Sequence, residues 1–420
     1  MTEPFLPSGF SYGSVHCGIK KVAGAPDLAL VLSDAPCAAA AVFTQNRYAA
    51  APVQYDRRLL EWNPDGVQAV VINSGNANAV TGAEGMAATR RTAEAVESMF
   101  GLSPWTTLVM STGVIGVPLP VERIEAALPD LYRRLQPGAA AFAAASQAIM
   151  TTDTRPKTAF ASGIVDGETV SVAGMAKGAG MIHPNMATLL AVVVTDAAIT
   201  VESLQAALRQ AVNVSFNRIS VDGDTSTNDT VAVLANGLAA NELIAGPESA
   251  GFTAGFTAGF AAFTRLLTQV CTDLAQAIVG DGEGASKFVA ITVSGLETDT
   301  DAHRVANSIA ISPLVKTAIY GGDANWGRIL AAAGNSGVTF APEAAELWIS
   351  GGSSAGTLLP TLQLVGNGAP LAFDEAESSL RFTQPELSID LRLGTGPGQA
   401  TVWTCDLSHD YVTINGAYRT

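Results

Sequence analysis

The segment Thr188-Leu-Leu-Ala-Val-Val-Val-Thr195 contains no glycine, proline or charge and is rich in β-branched side chains. Such side chains crowd a helix and sit well on a pleated strand, so the run predicts a strand. With nothing polar between its two threonines, neither face suits water, and the strand must be covered on both sides. Pro184 and Asn185 punctuate its start, Asp196 ends it, and Glu202 to Val212 reads as the helix that follows. The same alternation recurs along the chain. Leu28 to Leu32 and Val67 to Ile72 read as strands and Gly85 to Met99 as a helix. Phe252, Phe256 and Phe260 recur at i, i+4 and i+8 and predict one apolar helical stripe, with Gly251, Gly255 and Gly259 beside it. The fold class is therefore α/β. At 420 residues, 48% of them hydrophobic, the chain has material for two lobes. Strands and Gly-rich turns such as Gly321-Gly322 and Gly351-Gly352 dominate the last part, placing a smaller C-terminal lobe at approximately 289–420.

Charge narrows the function classes. Against 23 basic residues stand 38 acidic ones, a net charge of −15, so nucleic acids and anionic membrane surfaces would be repelled. No apolar stretch is long enough to span a bilayer. Cys17, Cys37, Cys271 and Cys405 are scattered, as are His16, His183, His303 and His409, so neither a disulfide framework nor a metal site has its usual spacing. Reduced thiols and the lack of a secretory leader in Met1 to Phe5 lead to the expectation of a cytoplasmic protein. Asp222, Asp224 and Asp229 miss the calcium-loop template, and the glycines near Lys177 miss the phosphate-loop spacing.

The segment richest in chemistry is Gly174-Met-Ala-Lys-Gly-Ala-Gly-Met-Ile-His-Pro-Asn-Met-Ala-Thr188, a Gly-rich turn that opens through a hydroxyl residue into the apolar strand. Local chemistry alone reads Thr188 as the first residue of a core strand. From Lys177 to Leu190, however, the segment resembles the self-cleavage site of the ornithine acetyltransferases, the bifunctional glutamate N-acetyltransferases of arginine biosynthesis. The likeness continues through Asn73-Ser-Gly-Asn-Ala-Asn78, Ser111-Thr-Gly-Val-Ile-Gly116, Thr151-Thr-Asp-Thr154, Asp222-Gly-Asp-Thr-Ser-Thr-Asn-Asp229, Gly280-Asp-Gly-Glu-Gly284, Ser312-Pro-Leu-Val-Lys-Thr317, Asp323-Ala-Asn-Trp-Gly-Arg328 and Ile414-Asn-Gly-Ala-Tyr-Arg-Thr420. Each motif is weak alone, and their order is specific.

The resemblance implies a layered α/β sandwich, a sheet pair flanked by helices, with the smaller C-terminal lobe. It implies cleavage between Ala187 and Thr188, giving an α chain of 1–187 and a β chain of 188–420. Thr188 becomes the nucleophile, and its freed α-amine the base beside its own hydroxyl, a recognised way of activating threonine. Thr112 and Gly113 match the oxyanion-stabilising residues. Thr151 (or its neighbour Thr152), Lys177, Glu283, Asn415 and Thr420 match substrate contacts, Lys177 suited to an α-carboxylate and Glu283 to the ornithine δ-ammonium. The implied reaction is ping-pong transfer of acetyl from N-acetyl-L-ornithine to L-glutamate, without a metal or organic cofactor. Acetyl-CoA stays open as an alternative donor, and the expected assembly is two α and two β chains. Trp326 and Arg328 read as architectural. A self-processing amidohydrolase of the β-aminopeptidase kind, in which water replaces glutamate, is the alternative. A binding protein that keeps the fold and an uncut chain is a remoter one.

Overall fold

The computed structural model describes residues 5–183, 189–245, 258–352 and 359–416. They form two compact units. The first comprises residues 1–181, 185–217 and 224–278; the second takes 182–184, 218–223 and everything from Val279 onward.

In the first unit, β1 (Phe10–Val15), β2 (Leu28–Phe43), α1 (Ala51–Trp62), β3 (Val67–Asn76), α2 (Gly82–Phe100), β4 (Thr107–Val114), α3 (Val121–Arg134) and α4 (Ala139–Ala148) precede β5 (Lys157–Val165) and β6 (Glu168–Lys177). Then come β7 (Leu190–Thr195) and α5 (Val201–Val214). The short β8 (Ile219–Ser220) belongs to the second unit, and β9 (Thr230–Ala235) and most of α6 (Ala258–Val279) return to the first. The sheet order is β4-β3-β2-β9-β7-β6-β5, with β1 also on β2. One strand serves two arrays: Leu28 to Leu32 of β2 pair with β1 and β3, and Ala38 to Phe43 pair with β9. The expected sheet pair is thus present and joined through β2.

The strand expected from its unbroken apolar run is β7, and all six of its residues are buried. It runs parallel to β9 and antiparallel to β6. Leu190, Val192 and Val194 enter a core shared with Tyr55 and Leu59 of α1, Val96 of α2, Leu131 of α3 and Phe142 of α4. Val193, on the opposite side of the pleat, lies by Gly174 where α6 crosses. A Cβ at Gly174 would come within 2.8 Å of Leu274 and 2.9 Å of Val270, so a bare backbone there lets the helix lie close to the sheet. The helix expected at Glu202–Val212 is α5; the Thr200 hydroxyl accepts the Ser203 N–H at its start, and Leu204, Ala207, Leu208 and Ala211 form its buried stripe. Of the phenylalanine stripe, Phe260 is buried in the first turn of α6, and Phe252 and Phe256 lie outside the described residues.

The second unit contains β10 (Phe288–Gly295), α7 (Asp299–Ala310), α8 (Pro313–Tyr320), α9 (Trp326–Gly334), β11 (Glu346–Gly352), β12 (Leu362–Gly366), β13 (Ala369–Pro370), α10 (Glu375–Phe382), β14 (Glu386–Arg392), β15 (Gly396–Cys405) and α11 (His409–Gly416). Its sheet order is β13-β12-β11-β14-β10-β15-β8. One face carries Val289, Ile291, Val293, Leu347, Ile349, Ile389 and Val402 against α7, α8 and α9. Arg328 donates to the Leu314 carbonyl at 2.9 Å, tying α9 to α8, which suits the architectural reading of its motif. No helix among the described residues is long and apolar enough to cross a membrane.

Candidate active site

The Ser-Thr-Gly turn ends β4, the parallel neighbour of β3. Ser111, Thr112 and Gly113 lie opposite Asn73, Ser74 and Gly75, and the register slips just beyond, at Asn76. Gly113 holds φ at +134°, and a Cβ there would stand 2.2 Å from the Gly75 carbonyl carbon and 2.5 Å from the Asn76 nitrogen. Only glycine fits both that torsion and that approach.

The motif Asn73 to Asn78 is the scaffold of this turn. Asn73 accepts the Ser111 hydroxyl at 2.6 Å and donates to the Asn76 carbonyl at 2.9 Å. Ser74 donates to the Ala148 carbonyl, and Asn76 reaches the Val117 and Pro118 carbonyls. Each of these polar side chains is buried, so each bond offsets a desolvation cost and fixes the backbone it touches.

A second cluster surrounds Asp153. The Thr151 N–H donates to one carboxylate oxygen at 2.9 Å. Lys157 Nζ at 2.6 Å and the Gly178 N–H at 2.7 Å donate to the other. Burial alone would push this carboxyl up; the charges of Lys177 and Lys157, with the Gly178 N–H, hold it at about 2 instead. Asp153 thereby fixes Thr151 and the turn that follows Lys177. Lys177 is itself buried, at the end of β6 opposite Leu190.

The third cluster joins the first to the strand that follows Thr188. Asn228 donates to the Ser111 carbonyl at 2.8 Å and to the Ala77 carbonyl at 2.6 Å. Its neighbour Asp229 accepts the Leu189 N–H at 3.0 Å, while Thr230 donates its N–H to the Leu189 carbonyl at 3.1 Å. Adjacent residues therefore grip the peptide before Thr112 and the peptide after Thr188.

In the second unit, Glu283 and Asn415 meet. The Asn415 amide donates to Glu283 at 2.8 Å, across 132 positions of sequence. Gly284, at φ +69°, lies so close to the Tyr411 nitrogen that a Cβ would stand 2.6 Å from it. Ser408 donates to the Gly284 carbonyl, and Tyr411 to Asp222. The tail is thus fixed as far as α11.

Of the residues expected in a site, Thr112, Gly113, Thr151 and Lys177 belong to the first unit and Glu283 and Asn415 to the second. Ala187, Thr188 and Thr420 lie outside the described residues. Sequence reasoning passed over the roles of Asp153, Asn228 and Asp229, although all three stand inside quoted motifs. An unpaired acid or amide in a loop motif reads as solvated until its distant partners are known.

The model of the ArgJ family matches residues 11–420. The chain belongs to the ArgJ family. It is 47% identical, over 442 residues, to the mitochondrial arginine biosynthesis bifunctional protein ArgJ of Sordaria macrospora, covering all of this chain and 90% of that one. With the corresponding mitochondrial protein of Heterostelium pallidum it shares 44% identity over 427 residues, covering all of this chain and 95% of that one. A crystal structure of ArgJ from Bacillus halodurans is 41% identical, with a TM-score of 0.48, over 54% of this chain and 98% of that chain.

The ArgJ enzymes are self-cleaving acetyltransferases with an N-terminal threonine, and this chain is a glutamate/ornithine N-acetyltransferase. It moves acetyl between ornithine-pathway intermediates in arginine biosynthesis and processes itself into two chains. Transfer, rather than the amidohydrolase alternative, is its activity. The cytoplasmic location expected from the sequence is overturned, because these ArgJ relatives are mitochondrial proteins. Scattered thiols fit a reducing compartment, and they do not separate one such compartment from another.

Proposed function

We propose that this ArgJ enzyme cuts the Ala187–Thr188 bond and uses Thr188 to carry acetyl from N-acetyl-L-ornithine to L-glutamate. The observation that carries the reading is the Asn228–Asp229 step. Asn228 holds the Ser111 carbonyl directly before Thr112, and Asp229 holds the amide directly after Thr188. Two rigid bonds from neighbouring residues thus link the oxyanion turn to the nucleophile's strand.

In the first reaction Thr188 Oγ attacks the Ala187 carbonyl, the peptide nitrogen leaves, and water resolves the ester. The products are a carboxylate on Ala187 and a free amine on Thr188. That amine, of pKa near ~8, takes the hydroxyl proton in the second reaction. Oγ then attacks the acetyl carbonyl of N-acetyl-L-ornithine, with Thr112 and the Gly113 N–H stabilising the oxyanion. Ornithine leaves with the proton, and glutamate takes the acetyl group from Thr188. Thr151, Lys177, Glu283, Asn415 and Thr420 bind the amino-acid part, Lys177 as partner of a carboxylate and Glu283 of the δ-ammonium. The assembly is two α chains of 1–187 and two β chains of 188–420.

Intact mass of purified protein tests the cut: two species are expected, the second beginning Thr188-Leu-Leu-Ala-Val. Thr188→Ala is expected to stay whole and transfer no acetyl; transfer by that variant sinks the reading.

A further inference from the structure

β4 is the edge strand of its sheet, with β3 on one side only. As the chain enters it, the Thr106 carbonyl accepts the Ala69 N–H of β3 at 3.2 Å. A trans peptide points its N–H the opposite way, so the Thr107 N–H faces the open edge. The alternation of a strand then sends the groups of Val109, Ser111 and Gly113 to that edge as well. Other elements meet them there. Glu97 of α2 accepts the Thr107 N–H at 3.2 Å, and Asp56 of α1 accepts the Val109 N–H at 2.8 Å. At Ser111 the partner changes from an acceptor to a donor, because the group met is the carbonyl and the side chain is the Asn228 amide, at 2.8 Å.

Asn228 also holds the other end of the turn. Its second N–H goes to the Ala77 carbonyl at 2.6 Å, and the Ala77 N–H donates to the Val114 carbonyl at 3.0 Å. The Thr112–Gly113 step is thus bracketed by one ring of bonds, running from the Ser111 carbonyl through the Asn228 amide and the Ala77 peptide to the Val114 carbonyl. Asn228 is buried and is itself fixed: the Thr227 hydroxyl donates to its Oδ1 at 2.7 Å, and its backbone N–H donates to the Ser226 hydroxyl at 3.0 Å. Two hydrogens on one nitrogen aimed at two carbonyls, beside an oxygen that accepts, call for a carboxamide. Removing it would leave two buried carbonyls without this donor and open the ring.

We propose that Asn228 is a positioning residue for acetyl transfer: by tying the Ser111 and Ala77 carbonyls together, it holds Thr112 and the Gly113 N–H in the aim that the oxyanion needs. It touches no substrate and acts through the turn alone. This rests on the reading of Thr112 and Gly113 as the oxyanion residues. Because each peptide is planar, a bond on the Ser111 carbonyl sets the plane that leads into Thr112, and the bond on the Val114 carbonyl sets the plane beyond Gly113. What lies between has little freedom to swing, and donors held in place before the reaction need no reorganisation during it.

The test uses two variants, assayed well below the Tm of each. Asn228→Ala removes both bonds. Misaimed donors fail the transition state rather than the bound substrate, so kcat is expected to fall about 10–100-fold with KM within about threefold. Asn228→Asp keeps the shape and makes the donor depend on pH. Its carboxylate sets a charge against two carbonyl oxygens, and its protonated form returns one O–H donor. Burial raises the titration of such a carboxyl, so the ratio of N228D to wild-type kcat is expected to climb about tenfold or more as the pH falls. The N228A ratio is expected to stay level, and an amide that only stabilised the fold would give level ratios for both. An N228A enzyme with kcat within about twofold of wild type overturns the assignment. A folded N228D that transfers no acetyl at any pH, or whose ratio is level, overturns it equally. Should N228A fail to fold or to mature, N228D carries the test alone. Wild-type kcat in both Thr112→Val and Gly113→Ala would instead sink the oxyanion reading, so the two failures are distinct.

Discussion

Replacing Gly113 by alanine would put a methyl group where the β3 backbone already stands. The new Cβ would lie 2.2 Å from the Gly75 carbonyl carbon and 2.6 Å from its oxygen. Neither atom belongs to a side chain that can swing away, so one of the two strand ends must move. Holding an L-residue near φ +134° costs roughly 1–3 kcal/mol, and forcing an extra methyl into packed backbone costs roughly 1–3 kcal/mol more. The sum of about 2–6 kcal/mol corresponds to a fall in Tm of roughly 5–20 °C for a body of this size. The chemical loss is separate. Under the proposed role of the Gly113 N–H, moving an oxyanion donor out of line costs about 10²–10³ in kcat while ground-state binding survives. Gly116 is the internal control: it too has a positive φ, at +79°, yet a Cβ there meets nothing within 4 Å. Gly116→Ala is expected to cost only the torsional part. Thermal unfolding and steady-state acetyl transfer on the two variants check both numbers. A Gly113→Ala enzyme with wild-type Tm and kcat within about threefold refutes the account of the turn.

Asp153→Asn leaves Lys157 buried without its ion pair, and a loss of about 3–5 kcal/mol in urea unfolding is expected. The folded carboxyl titrates at about 2, below an unfolded value of about 3.9, so its contribution is full above about pH 4 and is lost as the pH falls toward 2. The acid-unfolding curve of D153N should therefore be flatter than wild type between about pH 4 and 2, and an unchanged slope there contradicts the pairing. Glu283→Gln is expected to leave self-cleavage intact, because Glu283 belongs to the second unit, where it meets Asn415, and its proposed role is to bind substrate. It should raise KM for N-acetylornithine about tenfold or more; an unchanged KM removes Glu283 from the substrate contacts.

The sequence revealed different parts of the molecule for different reasons. The run that becomes β7 was legible because a strand buried on both faces shows its burial in every residue. The second half of β2 was not. Ala38 to Ala41 carry a helix preference of their own and are extended because β9 pairs with them. At the site, Gly113 was legible through its motif, whereas its torsion and its approach to Gly75 are facts of strand pairing. Asp229 stood in view as one of three acids in a loop, but its partner lies 40 positions away at Leu189. The meeting of Glu283 with Asn415 is hidden in the same way. Sequence pattern reports local preference and burial, and a site assembled from distant backbone amides leaves little trace in either.

The strand order has a consequence for the processed enzyme. With the proposed cut ahead of β7, the sheet reads β4, β3 and β2 from one polypeptide, β9 and β7 from the other, then β6 and β5 from the first again. The two products are threaded through each other by ladders on both sides of the newer chain, β2 with β9 and β6 with β7. Separation is then no different from unfolding. A molecule that folds as a single polypeptide afterwards melts as a pair, and dilution, which leaves the precursor untouched, lowers the melting temperature of the mature form. Folding first and cutting second gives the enzyme an arrangement that its two fragments would have to find by collision.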